Sequence, residues 1–596
     1  MLFEDAKTVS RELELTLTGK ECGMAERAPM CGVPYHALDS YLSHLVQKGY
    51  KVAIAEQMED PKLAKGLVKR EVTRIVTPGT LLDSQALDET KNNYLMSIVY
   101  LARSFGIAVT DVTTGEFLVT EVDSTRALLD ELYKYTPSEI ICNEAFYMSG
   151  VDLEELKNRL NFLITPLENH YFDDAVCRDT LKRHFHVGTL AGLGLEDYRT
   201  GLVAAGAAMN YLLETQKTSL SHITRITPYR SGKYMVLDTS TRRNLELLET
   251  LREKQKRGSL LWVLDKTRTA MGARLLRSFI EQPLIEREEI LKRQDAIEEL
   301  NGSYISREEL IEYLNPIYDL ERLIGRISYQ SASPRDLIAF KNSLQMLPPI
   351  KTLLEEFHTP LLSGIREDLD PLSDLADLID RAIVEEPPLG IREGGIIRDG
   401  YNEEADRLKK AKTEGKTWLM ELEAREREKT GIKNLRIKYN KVFGYYLEVT
   451  NSFLSQVPET YVRKQTLTNA ERFTTDELKK LEEIILGAED KLFILEYDLF
   501  CEVRSTISAE VSRIQKTARC IAWLDVLASL SVVASRNQYV RPKINEKGVI
   551  DIKAGRHPVV EQMLRDDLFI ANDTYLDNGN HRLSIITGPN MAGKST

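Results

Sequence analysis

Residues 401–430 read YNEEADRLKKAKTEGKTWLMELEAREREKT, and 16 of these 30 residues are charged. The few apolar side chains recur at helical spacing, at Ala405, Leu408, Leu419 and Leu422. A helix with so narrow an apolar stripe buries one edge and leaves the rest in water. The stretch therefore predicts a long, mostly solvated helix that forms an arm rather than part of a globular core.

A second apolar stripe follows at 478–499. Its apolar residues alternate steps of three and four, as in a heptad repeat: Leu478, Leu481, Ile485, Ala488, Leu492, Leu495 and Leu499. Three heptads are equally compatible with an ordinary packed helix. The charged helix nearby favours a long antiparallel pair.

Residues 431–475 break the helical pattern between these two stretches. LRIKYNKVFGYYLEVTNS (435–452) is rich in β-branched and aromatic residues, and Asn440–Gly444 can form a turn between two strands. Residues 431–472 carry seven cationic and three acidic side chains, a local charge of +4 in a protein of net charge −12. A basic β module at the end of an arm predicts a grip on phosphates. The tyrosines at 439, 445 and 446 are compatible with either a core or a stacking role.

The N-terminal third mixes helices with strands. We predict a helix from the first residues, a turn at Gly32–Pro34, a helix through Leu42 and a strand at Val52–Ala55. Residues 90–215 predict a second α/β unit, with strands on both sides of a Thr114-Gly115 turn and helices at 124–135 and 151–160. Asp111 ends one strand, but no second acid at matching spacing accompanies it, which favours a structural role over metal binding.

The composition limits the class of protein. The 596 residues predict three to six domains, and 42% hydrophobic with 29% charged residues is an ordinary globular mixture. The net charge of −12 argues against a uniformly basic chain but not against a basic patch on one domain. Six scattered cysteines form no C-x-x-C pair, which disfavours zinc knuckles and a disulfide framework. We expect no membrane span.

The segment RLSIITGPNMAGKST ends the sequence at 582–596. Leu583–Thr587 predicts a short buried strand, and Gly588-x4-Gly593-Lys594-Ser595 matches the phosphate-binding loop pattern. Glycines let backbone N–H groups surround phosphate oxygens, lysine neutralises the β/γ charge, and the serine hydroxyl binds Mg²⁺.

Taken together, these segments resemble the MutS family of DNA mismatch-recognition ATPases. The resemblance is carried by segments spread over the whole chain: GVPYHALDSYLSHLV (32–46), TRRNLEL (241–247), YNKVFGYYLEVT (439–450), TLTNAERF (466–473), GRHPVVE (555–561), FIAND (569–573) and TGPNMAGKST (587–596).

The resemblance implies a multidomain α+β and α/β architecture. We expect a mixed α/β mismatch-recognition domain at 1–85, an RNase H-like connector at 90–215 and a helical core at 216–400. Long antiparallel lever helices at 401–430 and 476–535 would flank a small β clamp for DNA at 431–475. The start of an ABC-type P-loop ATPase domain would occupy 540–596.

The resemblance also implies site residues, cofactors and partners. ATP and Mg²⁺ are the implied cofactors, with Phe569 against adenine and Ser595 on Mg²⁺. The ATP-binding loop is Gly588, Pro589, Asn590, Met591, Ala592, Gly593, Lys594, Ser595 and Thr596. The clamp residues that map best onto the DNA backbone contacts are Lys438, Lys441, Lys464, Asn469 and Arg472. The implied partners are mismatched double-stranded DNA, a second copy in the full-length protein and a repair factor of the MutL type. A bacterial cytoplasmic, nucleoid-associated location follows.

Two departures from the family pattern bear on activity. The family's Phe-x-Glu mismatch reader is not Phe3 and Glu4, because MLFEDAK matches the residues that follow that motif. The Walker B acid, the signature loop and the dimerising helices are not in this sequence. We interpret the chain as an internal fragment and expect it not to turn over ATP alone.

Two alternatives differ in class. One is a coiled-arm ATPase of the ABC type that acts on chromosomes without mismatch specificity. The other is a DNA-binding fragment without enzymatic activity. The β module with its local charge of +4 and the GVPYH segment disfavour the first alternative.

Overall fold

The computed structural model describes all residues except 24–25, 35–36, 59–67, 83–85, 231, 233, 389, 392, 441–443, 565–568 and 589–596. The described chain divides into two compact units. The first unit comprises Met1–Tyr329, Asn342–Leu372 and Glu510–Thr596, and the second comprises Gln330–Lys341 and Ser373–Ala509.

The N-terminal part of the first unit is a small α/β layer, as the sequence predicts. Its elements are α1 (Phe3–Glu12), β1 (Thr18–Lys20), β2 (Ala28–Met30), α2 (Leu38–Gln47), β3 (Val52–Gln57) and β4 (Arg70–Val76). β1 pairs with β2 and β3 pairs with β4, both antiparallel. Ala6 and Val9 of α1 pack with Cys31 and Leu45 in a small core.

A six-stranded mixed sheet follows in the order β10-β7-β6-β5-β8-β9. Its elements are β5 (Leu95–Leu101), β6 (Ser104–Asp111), β7 (Glu116–Val122), α3 (Thr125–Tyr135), β8 (Glu139–Cys142), α4 (Glu144–Tyr147), α5 (Leu153–Leu160), β9 (Leu163–Pro166), α6 (Asp174–His184), α7 (Thr200–Gln216) and β10 (Thr227–Pro228). β5, β6 and β7 form an antiparallel meander, whereas β8 and β9 are parallel to β5. Helix α7 packs closely because Gly106 faces it: a Cβ there would lie 2.1 Å from the carbonyl carbon of Thr200.

The rest of the first unit is mainly helical. Its helices are α8 (Thr239–Asn244), α9 (Leu260–Leu264), α10 (Ala270–Glu281), α11 (Arg287–Gly302), α12 (Tyr304–Leu314), α13 (Leu320–Ser328), α14 (Pro334–Leu344, whose first residues belong to the second unit), α15 (Leu347–Leu353) and α16 (Pro360–Asp368).

The second unit contains the two long helices and the β module. Its elements are α17 (Ser373–Ala382), α18 (Glu403–Thr430), β11 (Arg436–Asn440), β12 (Gly444–Thr450), β13 (Val462–Thr466), β14 (Ala470–Thr474) and α19 (Asp476–Ala509). The side chain of Asn402 accepts from the Ala405 N–H at the start of α18, and Gly431 ends the helix in the left-handed conformation. α18 and α19 are antiparallel, since Arg425 near the end of α18 forms an ion pair with Glu477 at the start of α19.

Returning to the first unit, the chain closes with α20 (Val511–Arg536), β15 (Ile550–Gly555), α21 (Pro558–Met563) and β16 (Asn572–Leu576). The helical stretch expected over 476–535 is therefore two helices that meet at Glu510 and belong to different units. The two helices bury different surfaces: α19 buries one stripe, whereas α20 is buried on most sides. By length and composition α20 could cross a membrane, but 78% of its most apolar window is buried inside the protein, which is typical of a core helix.

Candidate nucleic-acid interface

The described residues of the β module at 431–475 form a four-stranded antiparallel sheet. Its order is β11-β12-β14-β13. Because side chains alternate between the faces of a strand, Leu447 and Val449 of β12 point with Phe473 of β14 to one face. That face packs on apolar residues of α18 and α19: Leu419, Leu422, Leu478 and Ile485. The two helices therefore hold the sheet from one side.

The opposite face carries the basic side chains. Arg436 is paired in register with Glu448, Lys438 with Tyr446, and Glu448 with Arg472. Cross-strand partners share a face, so these five residues lie together on three adjacent strands. Arg436 and Lys438 are exposed and Arg472 is half-buried. The register thus creates a cationic surface with one acidic residue in it, and we call this set of five residues the outer face.

Arg472 is held in place from two sides. Its guanidinium lies 4.4 Å from the centroid of the Tyr446 ring, and its Nη1 donates to Oε1 of Gln465 at 2.7 Å. A guanidinium over an aromatic face is attracted by the ring. Its Nε is buried and has no hydrogen-bond acceptor among the described residues. Arg472 is therefore a fixed cation rather than a freely moving one.

The tyrosines of the module differ in exposure. Tyr446 is 4% exposed beneath Arg472, so it is a packing residue. Tyr439 is 50% exposed, and its ring centroid lies 5.0 Å from that of Tyr445.

The structure separates the remaining predicted clamp residues. Nζ of Lys464 lies 3.9 Å from Oε2 of Glu482 on α19 and 3.5 Å from the Tyr445 carbonyl oxygen. It therefore lies towards α19 and not on the outer face. Asn469 is exposed in the turn before β14, where its carbonyl accepts from the Asn451 N–H at 3.2 Å. Lys441 lies outside the described residues.

Arg436 and Glu448 are not among the residues predicted from the sequence, although the structure places both on the outer face. The sequence did contain one signal for Arg436: it precedes Lys438 by two residues in a predicted strand, and residues two apart on a strand share a face. The position of Glu448 opposite Arg436 depends on strand register, which no local pattern in the sequence specifies.

A buried hydrogen bond joins the module to α18. The Tyr461 hydroxyl donates to Oε2 of Glu426, and both side chains are buried. Burial, followed by this bond and the charge of Glu426, raises the pKa of Tyr461 far above its ordinary value, so the phenol stays protonated.

The predicted nucleotide loop falls mostly on residues 589–596, which lie outside the described residues. Gly588 has no atom within 4 Å of the position that a Cβ would take. Phe569 is half-buried and precedes β16.

The expected buried strand at Leu583–Thr587 is wrong for this structure. Residues 581–588 have no regular secondary structure, and Leu583, Ile585 and Ile586 are 79%, 82% and 75% exposed. A strand requires a hydrogen-bonded neighbour, and within the described chain none is paired with this segment.

The described residues hold no group of three or more His, Cys, Asp or Glu side chains suited to a metal ion. Asp111 has the structural role that the sequence favours. Its carboxylate accepts from the Asn93 N–H at 3.1 Å and from the N–H and hydroxyl of Thr113 at 2.8 and 2.6 Å. Ser595, the implied Mg²⁺ ligand, lies outside the described residues.

Three family models match consecutive parts of the chain. The sequence matches MutS domain I over residues 1–85, MutS domain II over 93–224 and MutS domain III over 240–531. The DNA mismatch repair protein MutS of Lachnoclostridium phytofermentans is 65% identical over 596 residues, which cover all of this chain and 64% of that protein. The proteins of the same name from Ruminiclostridium cellulolyticum and Acetivibrio thermocellus are 53% and 51% identical over 599 residues, covering all of this chain and 68% of each.

The chain thus contains MutS domains I, II and III in succession. This chain belongs to the MutS family, and it spans about two thirds of the length of the curated relatives it matches.

Proposed function

We propose that this chain is the DNA-binding portion of a mismatch-repair protein that binds mispaired duplex DNA. In the whole protein, ATP binding and hydrolysis would switch it to a sliding clamp that recruits a factor of the MutL type. The family membership supports the role, and the cationic outer face of the β module supports the contact with DNA. A bacterial cytoplasmic, nucleoid-associated location accompanies this role.

The outer face suits phosphate contacts rather than base reading. Lys and Arg side chains on a sheet surface neutralise phosphates and release counterions, which is independent of sequence. Arg472 is fixed by Tyr446 and Gln465, so it loses little side-chain freedom on binding. Lys438 is bound to Glu448 through an exposed ion pair, which is worth ~1 kcal/mol or less and is readily exchanged for a phosphate.

The rest of the assignment is proposed on the same basis. The sheet order β7-β6-β5-β8-β9, an antiparallel meander followed by two parallel strands, supports an RNase H-like connector. We assign ATP to residues 588–596 with Phe569 against adenine, and Mg²⁺ to Ser595. We further propose that the full-length protein is a homodimer and that, of the predicted clamp residues, Lys441 and Asn469 also contact DNA, whereas Lys464 lies towards Glu482 on α19.

The decisive experiment removes two charges from the outer face. Arg436→Gln with Lys438→Gln should weaken binding to matched and mismatched duplexes alike. It should also reduce the slope of log K against log salt by about 1.8, because each phosphate that the protein no longer neutralises lowers the slope by about 0.9. Arg407→Gln with Lys410→Gln is the matched control, because it removes the same charge from exposed positions on α18. Equally weakened binding in the two double variants would contradict a specific grip by the β module.

The coiled-arm chromosome ATPase shares the helical pair and the phosphate loop. The match to MutS domains I and II disfavours it. A DNA-binding role without enzymatic activity remains the second candidate for the chain by itself. A phosphate-release assay with and without DNA separates it from an active ATPase.

A further inference from the structure

A cavity of about 500 Å³ lies inside the first unit, between the meander strands and the helices α10 and α20. The sheet side contributes residues around the Thr114-Gly115 turn, and the helix side contributes Arg274, Arg519 and Trp523. Its volume is that of sites that hold small organic ligands, which range from about 300 to 1,000 Å³. None of its lining residues belongs to the β module or to the phosphate loop.

The cavity wall is predominantly cationic. It includes three acidic side chains, Glu116, Glu281 and Glu321, and six cationic ones: Lys91, Lys134, Arg225, Arg274, Arg277 and Arg519. Four of the six cationic side chains form an ion pair with an acidic side chain.

The other two cations are Arg225 and Arg519. In the described part of the chain, neither forms a hydrogen bond or a close ion pair. Both line the same cavity. Burial and then the positive charge of Arg225 lower the pKa of Arg519, while the charges of Glu321 and Asp368 act in the opposite direction. Two guanidinium groups at one cavity wall, without an acidic partner among the described residues, can bind an oxyanion with paired N–H donors.

The arrangement is held by hydrogen bonds on the protein side. Thr224, next to Arg225, donates from Oγ1 to Oε1 of Gln515 at 2.7 Å. Nε2 of Gln515 donates to the His222 carbonyl oxygen at 2.6 Å. Gln515 lies one helical turn before Arg519 on α20, so these bonds fix the segment of Arg225 against the same helix face.

The next turn of α20 provides an aromatic surface. Trp523 follows Arg519 by four residues and lines the cavity. Its ring is positioned by Phe279 of α10, with centroids 5.0 Å apart in an edge-to-face arrangement, and by Arg293, whose guanidinium lies 5.1 Å from the ring centroid. A flat organic group can contact the part of this ring that lines the cavity, while a phosphate binds the arginines.

We propose that this cavity binds a small phosphorylated ligand with a flat ring, of nucleotide size, with its phosphate between Arg225 and Arg519 and its ring against Trp523. This inference does not depend on the proposed DNA-binding role, because it uses no residue of the β module. A ligand here would contact both the six-stranded sheet and α20, and it would stabilise their packing by mass action.

The test uses the chain with Lys594→Ala, so that the phosphate loop does not contribute. Titration calorimetry with inorganic phosphate and with AMP should give saturable binding, with AMP at least tenfold tighter. Arg225→Gln with Arg519→Gln should weaken AMP binding at least tenfold. Arg252→Gln with Arg257→Gln, which removes the same charge from exposed positions outside the cavity wall, should leave it unchanged.

Three outcomes would overturn the proposal: no saturable binding at millimolar concentrations, equal binding in both double variants, or equal affinity for phosphate and AMP. The single variant Arg225→Gln distinguishes lost binding from misfolding, because this side chain is exposed. It should weaken AMP binding without lowering the thermal midpoint.

Discussion

Nζ of Lys438 lies 2.7 Å from Oε1 of Glu448, on the sheet face that is turned away from α18 and α19. The pair joins neighbouring strands diagonally, since the direct register partner of Lys438 is Tyr446. Glu448 also lies opposite Arg436 and Arg472. One acid therefore faces three cations and reduces the positive potential that DNA would meet.

Replacing this acid should strengthen DNA binding. Glu448→Gln keeps the size of the side chain, frees Lys438 for a phosphate and removes a repulsive charge. We expect a several-fold tighter complex at low salt and a slope of log K against log salt that is steeper by up to about 0.9, as for one further neutralised phosphate. Glu459→Gln, an exposed acid in the loop before β13, is the control. Equal effects of both variants would attribute the tighter binding to net charge alone.

The bond between Tyr461 and Glu426 should stabilise the second unit. Tyr461→Phe leaves the buried Glu426 carboxylate without its hydroxyl donor, which costs about 1–3 kcal/mol. Thermal unfolding and amide exchange in 431–475 should both report the destabilisation. Tyr439→Phe removes an exposed hydroxyl and should change neither measurement. A normal exchange pattern in Tyr461→Phe would show that the sheet is held by apolar packing alone.

Glu116 should make stability depend on pH. Burial raises the pKa of this carboxyl from 4.5 to about 7; the charges of Asp111 and Glu321 act in the same direction, and the Tyr94 hydrogen bond and Arg274 oppose them. The folded protein therefore retains a proton that the unfolded chain releases between about pH 4.5 and 7. The stabilising contribution is fully present below this window and is lost as the pH rises through it.

Glu116→Gln removes that dependence while keeping an oxygen that can accept from Asn92 and Tyr94. Relative to the unmodified chain, the variant should gain on the order of 2 kcal/mol of stability between pH 5 and pH 8. Denaturant midpoints at the two pH values measure the gain. Glu154→Gln, at an exposed position on α5, should give the same difference from the unmodified chain at both pH values.

Gly272 is required for α10 to pack on α20. A Cβ at this position would lie 2.2 Å from Oδ2 and 2.8 Å from Cβ of Asp525. Asp525 cannot move away without cost, because its carboxylate accepts from the N–H groups of Arg268 and Thr269 and from the Thr269 hydroxyl. Gly272→Ala should therefore lower stability by about 2 kcal/mol or more, despite alanine's better helix propensity.

Gly364→Ala is the comparison, because Gly364 lies within α16 and has no atom within 4 Å of its would-be Cβ. It should be neutral or stabilising. Thermal midpoints of the two variants decide the matter, and similar values would show that α10 can shift to accommodate the methyl group.

Much of the architecture could be read from local patterns. The apolar stripes of 401–430 and 478–499 predict the two helices, because a 3.6-residue period is a property of neighbouring residues. The strands at 95–122 follow from β-branched runs on both sides of Thr114-Gly115. The sequence did not predict the boundary between α19 and α20 at Glu510, because the helical pattern continues across it. Only the buried surface changes there, from one stripe of α19 to most of α20.

The sequence by itself determined the family and the basic character of the β module, because motifs and composition are local. Only the tertiary structure decided which cations share a face. Strand register places Arg436 and Lys438 with Arg472 around Glu448, whereas Lys464 lies towards Glu482 on α19. The cavity wall brings together Arg225 and Arg519, which are almost 300 positions apart in the sequence. Contacts of this kind arise when distant segments pack, so no local sequence pattern encodes them.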